Sequence, residues 1–242
     1  MREKEGFVAL LDVLGFVDLI ARESYRQEID EYVGCVSAFT TDSQLQFVLF
    51  SDSIVISTAD NSQAGLLNIV KSCSRLFGKL LTRGIPLRGA IARGSFIREE
   101  SDVGTFLAGR AVIEAYNFEK KQNWVGMMLT PSVLREFENV QKLCEVPNQT
   151  HKGVLATERG DWVRCVQRGQ IPTHDGIYDG FAIVPGDSDG NEPKLVVEDL
   201  LRMSESLQRL RSLANDPAAQ GKYSQSLTWL HNVIDRWTPL RS

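Results

Sequence analysis

The chain has 242 residues, of which 43% are hydrophobic, enough for one full hydrophobic core and a small addition. Its net charge of −4 comes from interspersed acids and bases, which argues against a nucleic-acid partner. The four cysteines lack C-x-x-C spacing, so neither a zinc site nor a disulfide framework is indicated, and a reducing cytoplasm is favoured. No apolar run approaches the ~20 residues of a membrane span, and the acidic start does not resemble a signal peptide.

The first predicted element is a buried strand over residues 7–13, which carries an acid, Asp12, near its end. Gly15 then allows a turn into a helix that runs from Phe16 toward Phe39. Residues 44–58 predict a β-hairpin with Asp52 at or near its tip. The first third of the chain therefore places one acid after a strand and another in a hairpin turn.

Apolar residues at helical spacing over 66–80 predict a helix that ends before Pro86. A strand with two glycines follows over 87–96, and then a loop that holds Glu99, Glu100 and Asp102. Residues 107–122 predict a further helix. The polar side of this helix indicates a solvated face or, in a dimer, a face that meets the partner's active site. It consists of Glu114, Asn117, Glu119, Lys120 and Lys121.

Residues 124–129 predict the next strand, and Pro131 opens a short helix. The order β-α-β-β-α-β-α-β is typical of an α+β, ferredoxin-like sheet with helices on one face. Irregular, partly strand-like sequence covers 154–184. We expect a catalytic domain over 1–185 and a linker with a C-terminal helical extension over 186–242.

The extension contains two predicted amphipathic helices, over 195–213 and 223–237. They either dock on the domain's own core or strengthen a dimer. Their apolar faces comprise Leu201, Leu207, Leu210, Leu213, Leu227, Leu230, Ile234 and Trp237.

Asp12 and Asp52 are unusual because each interrupts or ends an apolar run. An isolated carboxylate in such a setting costs several kcal/mol unless it is paired, protonated or bound to metal. If the strand end lies beside the hairpin, the two acids can hold two divalent ions, and hard oxygen ligands select Mg²⁺ or Mn²⁺. The alternative is that Asp12 caps the following helix and Asp52 is an ordinary turn residue.

Four segments, in order, resemble the class III nucleotidyl cyclases, and among them the bacterial pyrimidine cyclases of Pycsar anti-phage systems. They are Leu11-Asp12-Val13-Leu14-Gly15-Phe16, Phe50-Ser51-Asp52-Ser53, Leu87-Arg88-Gly89-Ala90-Ile91-Ala92-Arg93-Gly94 and residues 109–126. They cover much of residues 7–130.

The resemblance implies that Asp12, Asp52 and the backbone carbonyl of Val13 bind two metal ions, Mn²⁺ or Mg²⁺. It also implies that the backbone of Leu14, Gly15 and Phe16 holds the triphosphate, which agrees with the affinity of helix N-termini for anions.

The chain departs from the adenylyl-cyclase pattern where that pattern reads the base. A lysine and an acid of the pattern are replaced by Val48 and Phe106. We therefore expect an apolar pocket with another base preference. Phe50 either narrows the pocket around a pyrimidine or is a core aromatic of the hairpin.

A second departure lies in the helix predicted over 107–122. In the adenylyl-cyclase pattern this helix supplies an asparagine and an arginine to the transition state, and here those positions hold Ile113 and Asn117. Another cation must then offset the charge that builds on the α-phosphate. We expect Arg93 to be this catalytic cation. The other candidates are Arg88, Lys120 and Lys121.

The resemblance predicts a homodimer with shared active sites that converts UTP to 3′,5′-cyclic UMP and pyrophosphate. The product would signal in anti-phage defence through a cyclic-nucleotide-sensing effector. The alternatives are a cytidylate cyclase and a non-catalytic nucleotide-binding regulatory module.

Overall fold

The structure, a computed structural model, describes residues 2–40, 44–102, 104–136, 165–186 and 193–238. Eight strands lie in these ranges: β1 (Glu3–Val13), β2 (Gln46–Phe50), β3 (Ser53–Ser57), β4 (Leu87–Ser101), β5 (Gly104–Gly109), β6 (Gly126–Leu129), β7 (Val166–Thr173) and β8 (Gly176–Ile183). The helices there are α1 (Phe16–Ile20), α2 (Tyr25–Thr40), α3 (Gln63–Thr82), α4 (Arg110–Lys121), α5 (Pro131–Glu136), α6 (Pro193–Leu213) and α7 (Pro217–Trp237).

The strands form one mixed sheet in the order β2-β3-β1-β4-β6-β8-β7, with β5 paired to β4 outside this path. The antiparallel set β2-β3-β1-β4 is the four-strand order of a ferredoxin-like core, and β6 extends it in parallel. The predicted α+β, ferredoxin-like class is therefore confirmed, but the expectation of helices on one face is wrong, because α4 packs on the face opposite α2 and α3.

The two faces of β1 have different environments. Phe7, Leu11 and Val13 point into the main core, which β1 shares with α2 and α3. Val8 points to the other face, where it packs with Phe96 and Ala111 at the start of α4. Because side chains alternate along a strand, Asp12 shares the α4 face with Val8.

Two predicted boundaries in the middle of the chain are wrong. The strand predicted to stop at residue 96 continues to Ser101, so Glu99 and Glu100 lie in a strand that pairs with β5. The helix predicted from residue 107 begins at Arg110, because residues 104–109 form β5. A Cβ added at Gly109 would lie 2.4 Å from the Cα of Phe96, so a glycine is required where β5 turns into α4.

The C-terminal helices dock on the domain's own core. Trp229 of α7 packs edge-on against Trp124, with ring centroids 5.1 Å apart, and the Ser206 hydroxyl of α6 donates to the Leu81 carbonyl at 2.5 Å. Most of the predicted apolar face is buried, but Leu201 and Leu213 are 40% and 68% exposed, contrary to expectation.

The division into a catalytic domain over 1–185 and an extension over 186–242 stays a prediction. Residues 187–192 of the predicted linker and residues 154–164 of the irregular stretch lie outside the described ranges. None of the helices that the structure describes has both the length and the apolar character that a membrane span requires.

Candidate active site

The structure brings Asp12 and Asp52 together through the pairing of β1 with the β2–β3 hairpin. Asp12 is the penultimate residue of β1 and lies opposite Ser53. The hairpin closes with a two-residue turn, Ser51-Asp52, in which Ser51 has φ 56°. The Val13 amide donates to the Asp52 carbonyl at 2.9 Å, so the backbones that carry the two acids are joined directly.

Arg88 of β4 is the cation that the fold places beside Asp12. It lies opposite Asp12 in the β1–β4 register, and its Nη2 is 3.5 Å from Asp12 Oδ2. Its Nε donates to Glu119 Oε1 at 2.6 Å, and its Nη1 donates to the Gln122 carbonyl at 3.2 Å. The side chain of Gln122 in turn bonds the Gly89 carbonyl and the indole of Trp124. Arg88 is thus held in one orientation.

Glu119 is the residue of this charge cluster whose burial the sequence did not predict. The sequence predicted it on a solvated helix face, but its side chain is fully buried. It continues a stripe of small residues, Ala111 and Ala115, at four-residue spacing along the face of α4 that packs on the sheet. That alanine stripe was a signal in the sequence that the next position along it is buried.

Lys120 completes the charge cluster, and it is 48% exposed. Its Nζ lies 3.6 Å from Glu119 Oε2 and 5.7 Å from the centroid of the Tyr116 ring. Arg88 and Lys120 are two of the four residues predicted from the sequence as candidates for the cation that offsets charge on the α-phosphate.

Burial dominates the electrostatics of the cluster. It raises the pKa of Asp12, and the nearby charges of Lys120 and Arg88 lower that pKa only in part. It also raises the pKa of Glu119, against the lowering by Arg88. The nearby cations Lys120 and Arg88 therefore offset the burial of ionised Asp12 only in part.

The segment after β1 has the backbone freedom that the sequence predicted. Gly15 adopts φ 74°, a conformation that favours glycine, and caps α1, which has only five residues. The Leu14 amide donates to the Pro86 carbonyl at 2.9 Å. The Phe16 ring packs edge-on against Tyr32 of α2, so the segment is anchored at both ends.

The structure does not bring Arg93 to the two acids within this chain. Arg93 lies opposite Phe7, five positions from the Asp12–Arg88 pair, about 17 Å along the strand. Five is an odd number, so its side chain leaves the opposite face of the sheet. Its amide bonds the Ser132 hydroxyl at 2.9 Å.

The residues predicted to read the base lie on strands β2 and β5. Phe50 directly precedes the Ser51-Asp52 turn and is 78% exposed, so it is not a core aromatic. Val48 is partly buried on β2, and Phe106 is 53% exposed on β5. Ile113 and Asn117 are exposed on α4.

The donor set at the acid pair fits a hard divalent ion, because both side chains offer carboxylate oxygens. Among the described residues no group of three or more His, Cys, Asp or Glu side chains gathers to form a metal site. The part of the chain that the structure describes thus supplies two carboxylates at this place, and a bound metal would need further oxygen ligands from the backbone, water or substrate.

By sequence, no family model and no curated protein matches the chain. By structure, it is similar to the adenylyl cyclase CyaB from P. aeruginosa, with a TM-score of 0.51 at 13% identity, over 78% of this chain and 98% of that one. The fold is that of a class III nucleotidyl cyclase domain. Adenylate cyclases from Trypanosoma brucei in their monomeric state align with a TM-score of 0.49 at 11% identity, over 76% of this chain and 92% of theirs.

Proposed function

We propose that the protein is a nucleotidyl cyclase. The observation that carries the proposal is the convergence of Asp12 and Asp52, whose backbones are joined by the 2.9 Å bond from the Val13 amide to the Asp52 carbonyl. The class III cyclase fold supports it, because the acid pair stands on the strand and the hairpin that the sequence resemblance nominated.

The reaction forms a bond from the ribose 3′-oxygen to the α-phosphorus, breaks the bond to pyrophosphate and releases the 3′-hydroxyl proton. Asp12, Asp52 and the Val13 carbonyl would hold two divalent ions, Mn²⁺ or Mg²⁺. When bound, such ions activate the hydroxyl and offset charge on the phosphates. Arg88 orients Asp12 from the side of α4, and Lys120 brings an exposed positive charge to the same place.

For the substrate we propose a pyrimidine nucleotide, with UTP ahead of CTP. The support is the apolar character of the positions that read purines in the resembling enzymes, Val48 and Phe106, with exposed Phe50 beside the turn. The product would be cyclic UMP, acting on a cyclic-nucleotide-sensing effector in anti-phage defence. We place the protein in the cytoplasm.

We propose a homodimer with shared active sites. Large apolar side chains remain exposed in the single chain: Phe50 beside the Ser51-Asp52 turn, Phe106 on β5, and Ile113 and Tyr116 on α4. A partner surface would cover them. Sizing at micromolar concentration tests this, and a monomer there contradicts it.

The experiment that tests the activity is incubation of the purified chain with Mn²⁺ and each of UTP, CTP, ATP and GTP, followed by mass spectrometry. We expect a cyclic nucleotide from UTP, and Asp52→Ala should lower turnover at least about a thousandfold, since several kcal/mol of transition-state stabilisation is lost. Asp60→Asn, which changes an exposed acid outside the site, is the matched control. Folded protein that yields no cyclic product from any nucleotide would refute the proposal.

A second candidate is a nucleotide-binding module without turnover. The observation that favours it is the exposed face of α4, where Ile113 and Asn117 offer no cation to a transition state. Nucleoside triphosphate that binds with metal and remains unchanged, in the same assay, would support this candidate.

A further inference from the structure

A cavity of about 490 Å³ lies between the segment that follows β1 and the turn that joins α6 to α7. Leu14 and Gly15 form one wall, and Asp216 and Lys222 of the C-terminal region form the other. Neither acid of the pair lines the cavity, but Leu14 is only two residues beyond Asp12 in the chain.

The charged groups that line the cavity differ in their pairing. Arg22 is bonded to Glu28 at 2.8 Å, and the Asp216 carboxylate caps α7 by accepting from the amides of Ala218 and Ala219. Lys222 has neither a hydrogen bond nor a salt bridge to its side chain among the described residues. It is the lining cation that has its ammonium group available for a ligand.

The position of Lys222 is fixed by the core. One turn further along α7, the Ser226 hydroxyl donates to the Lys222 carbonyl at 2.7 Å and accepts from the Val125 amide at 2.7 Å. This joins α7 to the start of β6, close to the Gln122–Trp124 contact that holds Arg88. Burial raises the pKa of Asp12, and the positive charge of Lys222 is near enough to offset a small part of that rise.

We propose that this cavity binds the polyphosphate end of the nucleotide, with Lys222 as a phosphate-binding residue supplied by the C-terminal helices. The inference rests on the proposed function, which makes pyrophosphate the leaving group. Asp18 also lines the cavity, so its occupant is a divalent-metal complex of pyrophosphate rather than the bare anion. A lysine ammonium suits this role as a mobile point charge for phosphate oxygens.

The test is calorimetric titration of the full chain with magnesium pyrophosphate, which needs no turnover. We expect Lys222→Met and Lys222→Gln each to weaken binding about tenfold, the loss of one charge-assisted hydrogen bond. Lys222→Arg should stay within about threefold of the wild type, because it restores the charge. Arg236→Gln is the matched control: it removes one charge from the same helix about 21 Å away.

Wild-type affinity in folded Lys222→Met and Lys222→Gln would overturn the inference, and so would a wild-type chain that does not bind magnesium pyrophosphate. Thermal denaturation shows which variants fold, and Lys222→Met keeps an apolar stem of similar length. If the chain cyclises nucleotides while these variants retain affinity, only this inference fails. If no nucleotide is cyclised, the proposed function fails, and the titration still tests whether Lys222 binds phosphate. If the enzyme is active, Lys222→Met should raise KM more than it lowers kcat.

Discussion

Charged side chains approach Asp12 from two sides, and the two sides are built differently. On the side of α4, Arg88 and Glu119 are buried and bonded to each other, and Arg88 also donates to the Gln122 carbonyl. On the side of α7, Lys222 is partly exposed and faces a cavity. Burial fixes geometry at the cost of adaptability, so the first side suits the positioning of Asp12 and the second suits contact with a ligand.

The largest effect should come from breaking the buried pair. Glu119→Ala leaves Arg88 charged, buried and short of its main partner, which should cost about 3–5 kcal/mol of stability. Denaturant unfolding measures the loss, and Glu114→Ala on the same helix is the control, since Glu114 is only partly buried. A loss below about 1 kcal/mol for Glu119→Ala would show that the pair does not hold the cluster together.

The next effect distinguishes the two arginines of β4. Arg88→Lys keeps the charge but cannot reproduce the contacts from Nε and both Nη atoms, so we expect turnover to fall about tenfold or more, with some loss of stability. Arg93→Lys should change turnover less, because Arg93 leaves the other face of the sheet. The reverse order of effects, measured in the cyclase assay with both variants folded, would restore Arg93 as the catalytic cation predicted from the sequence.

A smaller effect tests how α7, the helix that carries Lys222, is anchored to β6. Ser226→Ala leaves the buried Val125 amide without its acceptor, which should cost about 1–3 kcal/mol. Ser224→Ala, two residues earlier on α7, removes a hydroxyl that bonds only within its own helix and should cost less. Equal losses in thermal unfolding would mean that Ser226 does not anchor α7 to β6.

The smallest effect concerns Asp60, an exposed acid that belongs neither to the Arg88–Glu119 pair nor to the cavity beside Lys222. The hydrogen bonds of Asp60 with Ser62 lower the pKa of Asp60. An acid whose pKa is lowered by folding stabilises the protein above its unfolded value of 3.8, and that contribution is lost as the pH falls through the folded pKa. The Tm difference between wild type and Asp60→Asn should therefore shrink from pH 6 to about pH 3. A constant difference would assign the effect to something other than the charge.

Much of the candidate site could be predicted from the sequence, because it depends on patterns among residues that are neighbours in the chain. The apolar run before Asp12, the glycine after it and the turn around Asp52 are neighbours in sequence, and alternation with turn chemistry predicts the strand and the hairpin. The same reasoning failed at β5, because residues 104–109 were assigned in part to the helix. Close packing of Gly109 against Phe96 decides that boundary, and such a contact is not visible in a local pattern.

The sequence by itself determined the α+β class, the strand and turn that carry the two acids, and the segment that follows Asp12, since each rests on the period of apolar residues or on backbone freedom at glycine. Tertiary structure decided which charges meet. The register of β1 against β4 sets Arg88 rather than Arg93 opposite Asp12, the packed face of α4 buries Glu119, and the docking of α7 brings Lys222 to the cavity. These contacts join residues 31 to more than 200 positions apart, and only long-range packing fixes such pairs.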